Sequence, residues 1–172
     1  VLDLKKSEAI KVCHRLIENY DVIVENFRPG VMDKLGLGYN VLYKINPNII
    51  MCSISGYGQQ GPGATRPAYA PIVQAMTGFD LVTLAAQKNI DRPLNMGLPV
   101  GDTTAAIQAF GAIMAALYYR EKTSVGQHID IAMADSLLST MNRDFQTAFH
   151  SDPIDRRYGP LKTNDGYIIV MP

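Results

Sequence analysis

One stretch, residues 103–121, limits the possible folds of this chain more than any other. Its first four turns are apolar almost all round: Ala105, Ala106, Ile107, Ala109, Phe110, Ala112, Ile113, Met114, Ala115, Ala116 and Leu117. A helix apolar on every face must be covered by protein or by lipid. A spanning helix needs about 20 apolar residues, and this run is shorter and carries Gln108 and Gly111. It reads as a central buried helix, in which alanine and glycine let neighbouring elements approach closely. The remaining chain must then wrap it. With 172 residues, 47% hydrophobic and 19% charged, there is enough material for one soluble globular domain of ordinary size.

Around that helix the chain alternates helix and strand. Residues 6–19 put Ile10, Cys13, Leu16 and Ile17 on one helical face. Val22-Ile23-Val24 is a short apolar strand. Asn26-Phe27-Arg28-Pro29-Gly30 is a loop, because Pro and Gly both break regular structure. Short helices are expected near 31–35 and 40–46, the second ending before Pro47, and the run from Ile49 to Ile54 is a second buried strand. This order predicts an α/β layer with a parallel sheet. Residues 56–67 read as loop, 69–78 as a helix ending at Gly78, and 87–99 as irregular, with Pro93 and Pro99. Gln127-His128-Ile129-Asp130-Ile131-Ala132 alternates polar and apolar, the mark of a strand with one wet face. A helix over about 133–149 follows, and Asn164-Asp165-Gly166 signals a turn into a last strand.

Sixteen basic and sixteen acidic residues cancel. No global field therefore favours nucleic acid, an anionic membrane or a polyanion, and an anionic ligand must be held by local groups. Cys13 and Cys52 lie apart in apolar runs and read as reduced core residues of a cytosol-like compartment. His14, His128 and His150 share no metal-ligand spacing. The chain opens on Val1 with no secretory h-region and ends in a strand-like run, so both ends read as internal to a longer protein.

Gly56-x-Gly58-x-x-Gly61 after a strand matches the dinucleotide fingerprint on paper. That fingerprint must open a helix whose N-terminus holds the phosphate. Here Pro62-Gly63 follows at once and no helix is expected before residue 68; Pro67, Pro71 and Gly78 separate the motif from Asp80, the residue nearest the ribose position. A surface loop, or a loop over a ligand, is the better reading.

Asp102 follows Gly101 and precedes the apolar helix. An aspartate there is an ordinary N-cap. It also has a chemical use. The helix N-terminus favours the ionised carboxylate, while burial opposes it. A carboxylate kept charged yet shielded from water is a usable nucleophile. The neighbouring N–H groups are placed to stabilise an oxyanion.

Several strings then converge. Residues 24–39, Val-Glu-Asn-Phe-Arg-Pro-Gly-Val-Met-Asp-Lys-Leu-Gly-Leu-Gly-Tyr, resemble a segment of the family III coenzyme A transferases, the CaiB/BaiF or formyl-CoA transferase superfamily. So do Ser53-Ile54-Ser55-Gly56-Tyr57-Gly58-Gln59, the Gly101-Asp102 pair before an alanine-rich helix, Gly126-Gln127-His128-Ile129-Asp130-Ile131, and Thr163-Asn164-Asp165-Gly166-Tyr167. The strings stand in the family's order over nearly the whole chain.

The resemblance implies a Rossmann-like large domain over residues 1–157, lacking its N-terminal strand and helix. It implies the start of a small domain over 158–172, with the C-terminal half and its glycine-rich loop absent. It implies an interlocked homodimer in the cytoplasm, or the mitochondrial matrix of a eukaryote, with neither nucleic acid nor membrane as partner. No permanently bound cofactor is implied; acyl-CoA and a small carboxylic acid are the substrates. Asp102 is then the catalytic carboxylate, passing through an aspartyl anhydride and an aspartyl-CoA thioester. Asn26, Phe27, Arg28 and Lys34, together with Ala68, Tyr69 and Ala70, are the CoA-binding positions. Transferases often carry lysine before the last segment and glutamate at its end; this chain has Pro67 and Ala70, and Arg66 is the candidate to compensate.

Three alternatives stand beside this. An α-methylacyl-CoA racemase needs a second base, for inversion at carbon, at Tyr69-Ala70-Pro71, where no histidine stands. A silent CoA-binding relative and a dinucleotide oxidoreductase are the others. The acyl donor and acceptor acid are left open: formate/oxalate, carnitine/crotonobetaine, succinate/dicarboxylate and aromatic acids all use this scaffold.

Overall fold

A computed structural model describes residues 1–85, 91–93, 97–141 and 161–168. Helix α1 (Ser7–Ile17) leads into strand β1 (Val22–Glu25). Two short helices follow, α2 (Val31–Lys34) and α3 (Tyr39–Ile45), then strand β2 (Ile50–Ser55). Helices α4 (Ala70–Met76), α5 (Phe79–Ala85) and α6 (Val100–Thr123) precede β3 (His128–Ala132) and α7 (Met133–Thr140). A two-stranded antiparallel hairpin, β4 (Leu161–Lys162) and β5 (Tyr167–Ile168), closes the described chain.

The first three strands form one parallel sheet in the order β1-β2-β3. Val24 of β1 registers with Cys52, and Cys52 in turn with Ile129 of β3. β2 is central and covered on both faces, which is why its sequence is a continuous apolar run rather than an alternating one. Met51 and Ile54, an odd number of residues apart on a pleated strand, point to opposite faces. Met51 joins a core of Ile17, Met32, Leu37, Leu42 and Ile49 beneath α1, α2 and α3. Ile54 packs on the other side, with Ala70, Val73, Ala105, Met133 and Leu137 from α4, α6 and α7. This is the expected α/β layer with a parallel sheet.

α6 departs from the expectation of burial on every face. Its buried residues are Gly101, Ala105, Ala109 and Ala116, a narrow small-residue stripe facing the sheet and α7. Small side chains bring the helix close: a Cβ at Gly101 would lie 2.8 Å from Met133 Sδ. Ile107, Phe110, Met114 and Tyr118 on the opposite side stay exposed. The sheet offers only one surface, so only one stripe of the helix is covered within this chain. By length and composition alone, Val100–Thr123 could cross a membrane. At its far end Arg120 ion-pairs with Asp21 (2.9 Å) and donates to the Asn48 carbonyl (3.3 Å), tying α6 to the segments that enter β1 and β2.

One smaller difference is an additional helix. α5 was not expected from the sequence; Gly78, at φ +78°, ends α4 while its carbonyl accepts from the Val82 N–H (3.0 Å) and opens the next helix. Helix α7 follows β3 directly, as expected. The proposed extension of α7 to 149, the irregular assignment over 87–90 and 94–96, His150 and the domain boundary at 157/158 lie outside the described residues.

Candidate active site

All three strands of the sheet point the same way, so the chain leaves β1 and β2 at one edge. After β1 it runs to helices on one face, and after β2 to helices on the other. Such divergence leaves a crevice beyond the carboxyl ends of the strands, the usual ligand position in open α/β sheets. Two adjoining cavities fill it here.

The first measures about 290 Å³. Asn26, Phe27, Arg28 and Pro29 enter it from the end of β1, and Ile54, Ser55 and Gly56 from the end of β2. The loop after β2 adds Ala64, Arg66, Ala68 and Tyr69, while Ala70, Asp102 and Met133 come from the first turns of α4, α6 and α7. The structure thus brings Asp102 together with Asn26, Phe27, Arg28, Ala68, Tyr69 and Ala70. Lys34, at the C-terminal end of α2, is exposed and lines neither cavity.

Asp102 differs from expectation in two respects. Helix α6 begins at Val100, so Asp102 is the third helical residue and not the N-cap; Pro99 takes that place without a side-chain cap bond. Thr103 donates from both its N–H (3.0 Å) and its Oγ1 (3.1 Å) to the Pro99 carbonyl, which draws the helix start back. Asp102 is also exposed, not buried. The physical reason lies one residue earlier. Gly101 is the position pressed against α7, and a rotation of about 100° per residue turns Asp102 away from that contact and into the cavity. It remains in the first turn, where free N–H groups and the helix dipole favour negative charge.

The glycine loop folds over this edge. Gly58 and Gly61 have φ of +86° and +94°. No helix opens before Ala70, so the phosphate-cradling geometry of a dinucleotide site is absent at this loop. Instead the start of the loop is pinned to β3 and α7. Gln59 N–H donates to Asp130 Oδ2 (2.8 Å), and Ala134 N–H donates to the Gly56 carbonyl (3.0 Å). A side chain at Gly56 would overlap Ala68, so glycine is needed for the loop to double back.

The second cavity, about 460 Å³, lies on the α2–α3 side and shares Arg28, Pro29 and Ala64 with the first. Sequence reasoning missed its constellation. Glu25, 7% exposed, accepts from the Phe27 N–H at 2.7 Å and holds the start of the Asn26–Gly30 loop. Ser53 Oγ and His128 Nε2 lie 2.9 Å apart, and the His128 ring stacks on Tyr39 with centroids 5.2 Å apart. Strand register carried the only signal: Ser53 and His128 are far apart in the chain and meet through β2–β3 pairing. Among the described residues no histidine lines the Asp102 cavity; His14 bonds the Gly36 carbonyl through Nε2 (2.8 Å). Burial pushes the Cys52 thiol up to about 11, with Glu25 and Asp130 adding to the shift. That side chain is a buried thiol and not a nucleophile.

The arrangement can hold an anionic ligand between two guanidiniums and present it to a carboxylate at a helix start. Known proteins share this fold and sequence. A CaiB/BaiF family protein from Brucella suis superposes with a TM-score of 0.82 at 32% identity, over 98% of this chain and 47% of its own. The Mycobacterium tuberculosis protein Rv3272 gives 0.86 at 29% identity, over 99% of this chain and 46% of its own. The acetyl-CoA:oxalate CoA-transferase of Acetobacter aceti is 43% identical over 81% of this chain and 35% of its own length. The succinate–glutarate CoA-transferase of Agrobacterium fabrum is 34% identical over 99% of this chain and 44% of its own. The chain therefore spans less than half the length of these relatives. The CoA-transferase family III profile matches residues 1–170, and with that match this chain belongs to CoA-transferase family III.

Proposed function

We propose that the protein carrying this chain transfers coenzyme A between an acyl-CoA and a small carboxylic acid, with Asp102 as the covalent carrier. One observation bears most of the weight: Asp102 shares its cavity with both segments named as CoA contacts, Asn26-Phe27-Arg28 and Ala68-Tyr69-Ala70. The Acetobacter aceti and Agrobacterium fabrum relatives are named as CoA-transferases of carboxylic acids.

In this reading a carboxylate oxygen of Asp102 attacks the thioester carbonyl carbon. The C–S bond breaks, CoA leaves as thiolate, and a mixed anhydride remains. The thiolate then attacks the Asp102 carbonyl carbon and expels the first acid as its carboxylate. The resulting aspartyl-CoA thioester is attacked by the acceptor carboxylate, and the same steps in reverse deliver CoA to it. First-turn N–H groups of α6 stabilise the charge that develops on the carbonyl oxygens. Arg28 bridges the two cavities and serves the CoA handle, whose binding energy keeps the intermediates aligned. Lys34 lines neither cavity and takes no part in this reading.

The rest of the reading follows the family. Residues 1–157 belong to a large domain and 158–172 open a small one. The protein acts as an interlocked homodimer in the cytoplasm, and the uncovered apolar side of α6 supports a partner surface there. CoA enters as substrate, not as a resident cofactor.

The test is chemical trapping. Incubation of the full-length protein with acyl-CoA, then borohydride or hydroxylamine, should modify Asp102, as read by peptide mass spectrometry. Asp102→Asn should lower transfer by at least about 1,000-fold, because the amide is a far poorer nucleophile. Acyl-CoA binding without any adduct would instead identify a silent binding relative. NADH fluorescence titration should show no binding.

A further inference from the structure

We propose that Asp130 is a positioning residue for the acyl-CoA: its carboxylate sets the bend of the glycine loop after β2 and, through that loop, the wall of the cavity that holds Asp102. This rests on the transferase reading and adds to it a residue that lines neither cavity.

The loop from Gly56 to Tyr69 borders both halves of the crevice. It gives Arg66, Ala68 and Tyr69 to the Asp102 cavity, and Gln59 and Thr65 to the larger neighbour. Little in the loop itself fixes its course. Gly58 and Gly61, at φ +86° and +94°, leave that region as readily as they enter it, because glycine carries no Cβ. The Ala64 N–H to the Gly61 carbonyl (3.3 Å) and the Arg66 N–H to the Gly63 carbonyl (3.0 Å) close single turns within the loop. Anchors from other elements supply the rest. The Ala134 N–H holds the Gly56 carbonyl (3.0 Å) at the loop's first residue. Asp130 Oδ2 accepts the Gln59 N–H at 2.8 Å, just past the first bend. The same oxygen lies 3.5 Å from where a Cβ on Gly58 would stand, so the carboxylate packs against the bend itself.

Strand register explains how an aspartate of β3 reaches a loop that leaves β2. Ser53 is aligned with Glu25 on one side and with Asp130 on the other, and aligned residues share a face of the sheet. One row thus carries a carboxylate at each flank. Glu25 accepts the Phe27 N–H (2.7 Å) and sets the loop after β1, while Asp130 accepts the Gln59 N–H and sets the loop after β2. Ionised acceptors make the stronger class of hydrogen bond. The two carboxylates differ in what else depends on them. Glu25 is buried, whereas Asp130 is exposed and belongs to neither core cluster. Removing the Asp130 side chain therefore acts on the loop more than on the fold, and the loop is what the ligand meets.

Adduct formation at Asp102 is followed in single turnover with the full-length protein, at increasing concentrations of acetyl-CoA or succinyl-CoA, whichever reacts faster with the wild type. Asp130→Ala should raise the half-saturating concentration at least about 10-fold while the saturated rate changes less than about 3-fold, the signature of lost binding rather than lost chemistry. Asp130→Asn, whose amide oxygen still accepts the Gln59 N–H, should stay within about 3-fold of the wild type in both. Gly58→Ala, which strains the same bend from the loop's side, should repeat the Asp130→Ala pattern. A role confined to the fold would lower the urea midpoint of Asp130→Ala and leave half-saturation unmoved, and that result overturns the inference. So does an Asn variant as impaired as the Ala variant, or a fall in the saturated rate alone. Each of these leaves the transferase reading intact. Absence of an adduct from both donors in the wild type overturns the transferase reading as well.

Discussion

At the residue scale, adjacent side chains here have opposite fates because a helix turns about 100° per residue. Gly101 is pressed against Met133, while Asp102 faces the cavity. The aspartate was legible from its place before an apolar helix; its exposure was not, because the facing of a first helical turn depends on what the helix packs against. Cys52 shows the same dependence in reverse. Nothing in its own residue type makes it inert, but burial raises its thiol from 9.0 to about 11. Iodoacetamide should therefore alkylate Cys52 at least about 10-fold more slowly than the half-buried Cys13 at about pH 8, with the Cys52 rate climbing only towards pH 11. The linked effect on stability has a definite sign. A raised folded-state value favours the protonated fold, so this contribution is complete below about pH 9 and is lost as pH rises from there towards 11. Denaturant melts at intervals across that window check it.

At the scale of elements, α6 carries the main lesson. Its uniform apolarity predicted a helix correctly, and burial on all sides incorrectly. Composition reports that a helix needs cover; it does not report how much of that cover the same chain supplies. Here small residues mark the covered stripe and large ones the uncovered side. Substitution should separate the two. Ala109→Leu, forced against the sheet, should cost about 1–3 kcal/mol, whereas Ile107→Ala on the open side should change stability by less than about 0.5 kcal/mol. Urea melts of both variants would expose an error if the order were reversed. Strand β2 was legible throughout, since a run from Ile49 to Ile54 without alternation is the pattern of a strand covered on both faces.

At the scale of the molecule, the uncovered side of α6 bears on assembly. If it meets a second copy in the proposed dimer, Phe110→Glu should shift the full-length protein from dimer to monomer in size-exclusion chromatography with light scattering, while far-UV circular dichroism stays unchanged. A dimer that persists with Glu at this position would remove α6 from the interface. The crevice itself is also a property of the whole. It exists because the chain leaves β1 and β2 toward opposite faces, so that segments some 30 or more residues apart in sequence line one cavity with Asp102.

What the sequence alone determined is local and additive: the helices and strands from their periodicity, the loops from Pro and Gly, and Asp102 as the carboxylate at a helix start. Its family strings also named Asn26, Phe27, Arg28, Ala68, Tyr69 and Ala70 before any cavity was seen. Tertiary structure alone decided which side of α6 is covered, that Asp102 is exposed in a cleft, that Lys34 stands outside it, and that Ser53 meets His128. These depend on distances between elements, and a residue's type and its neighbours in sequence do not encode a distance set by packing.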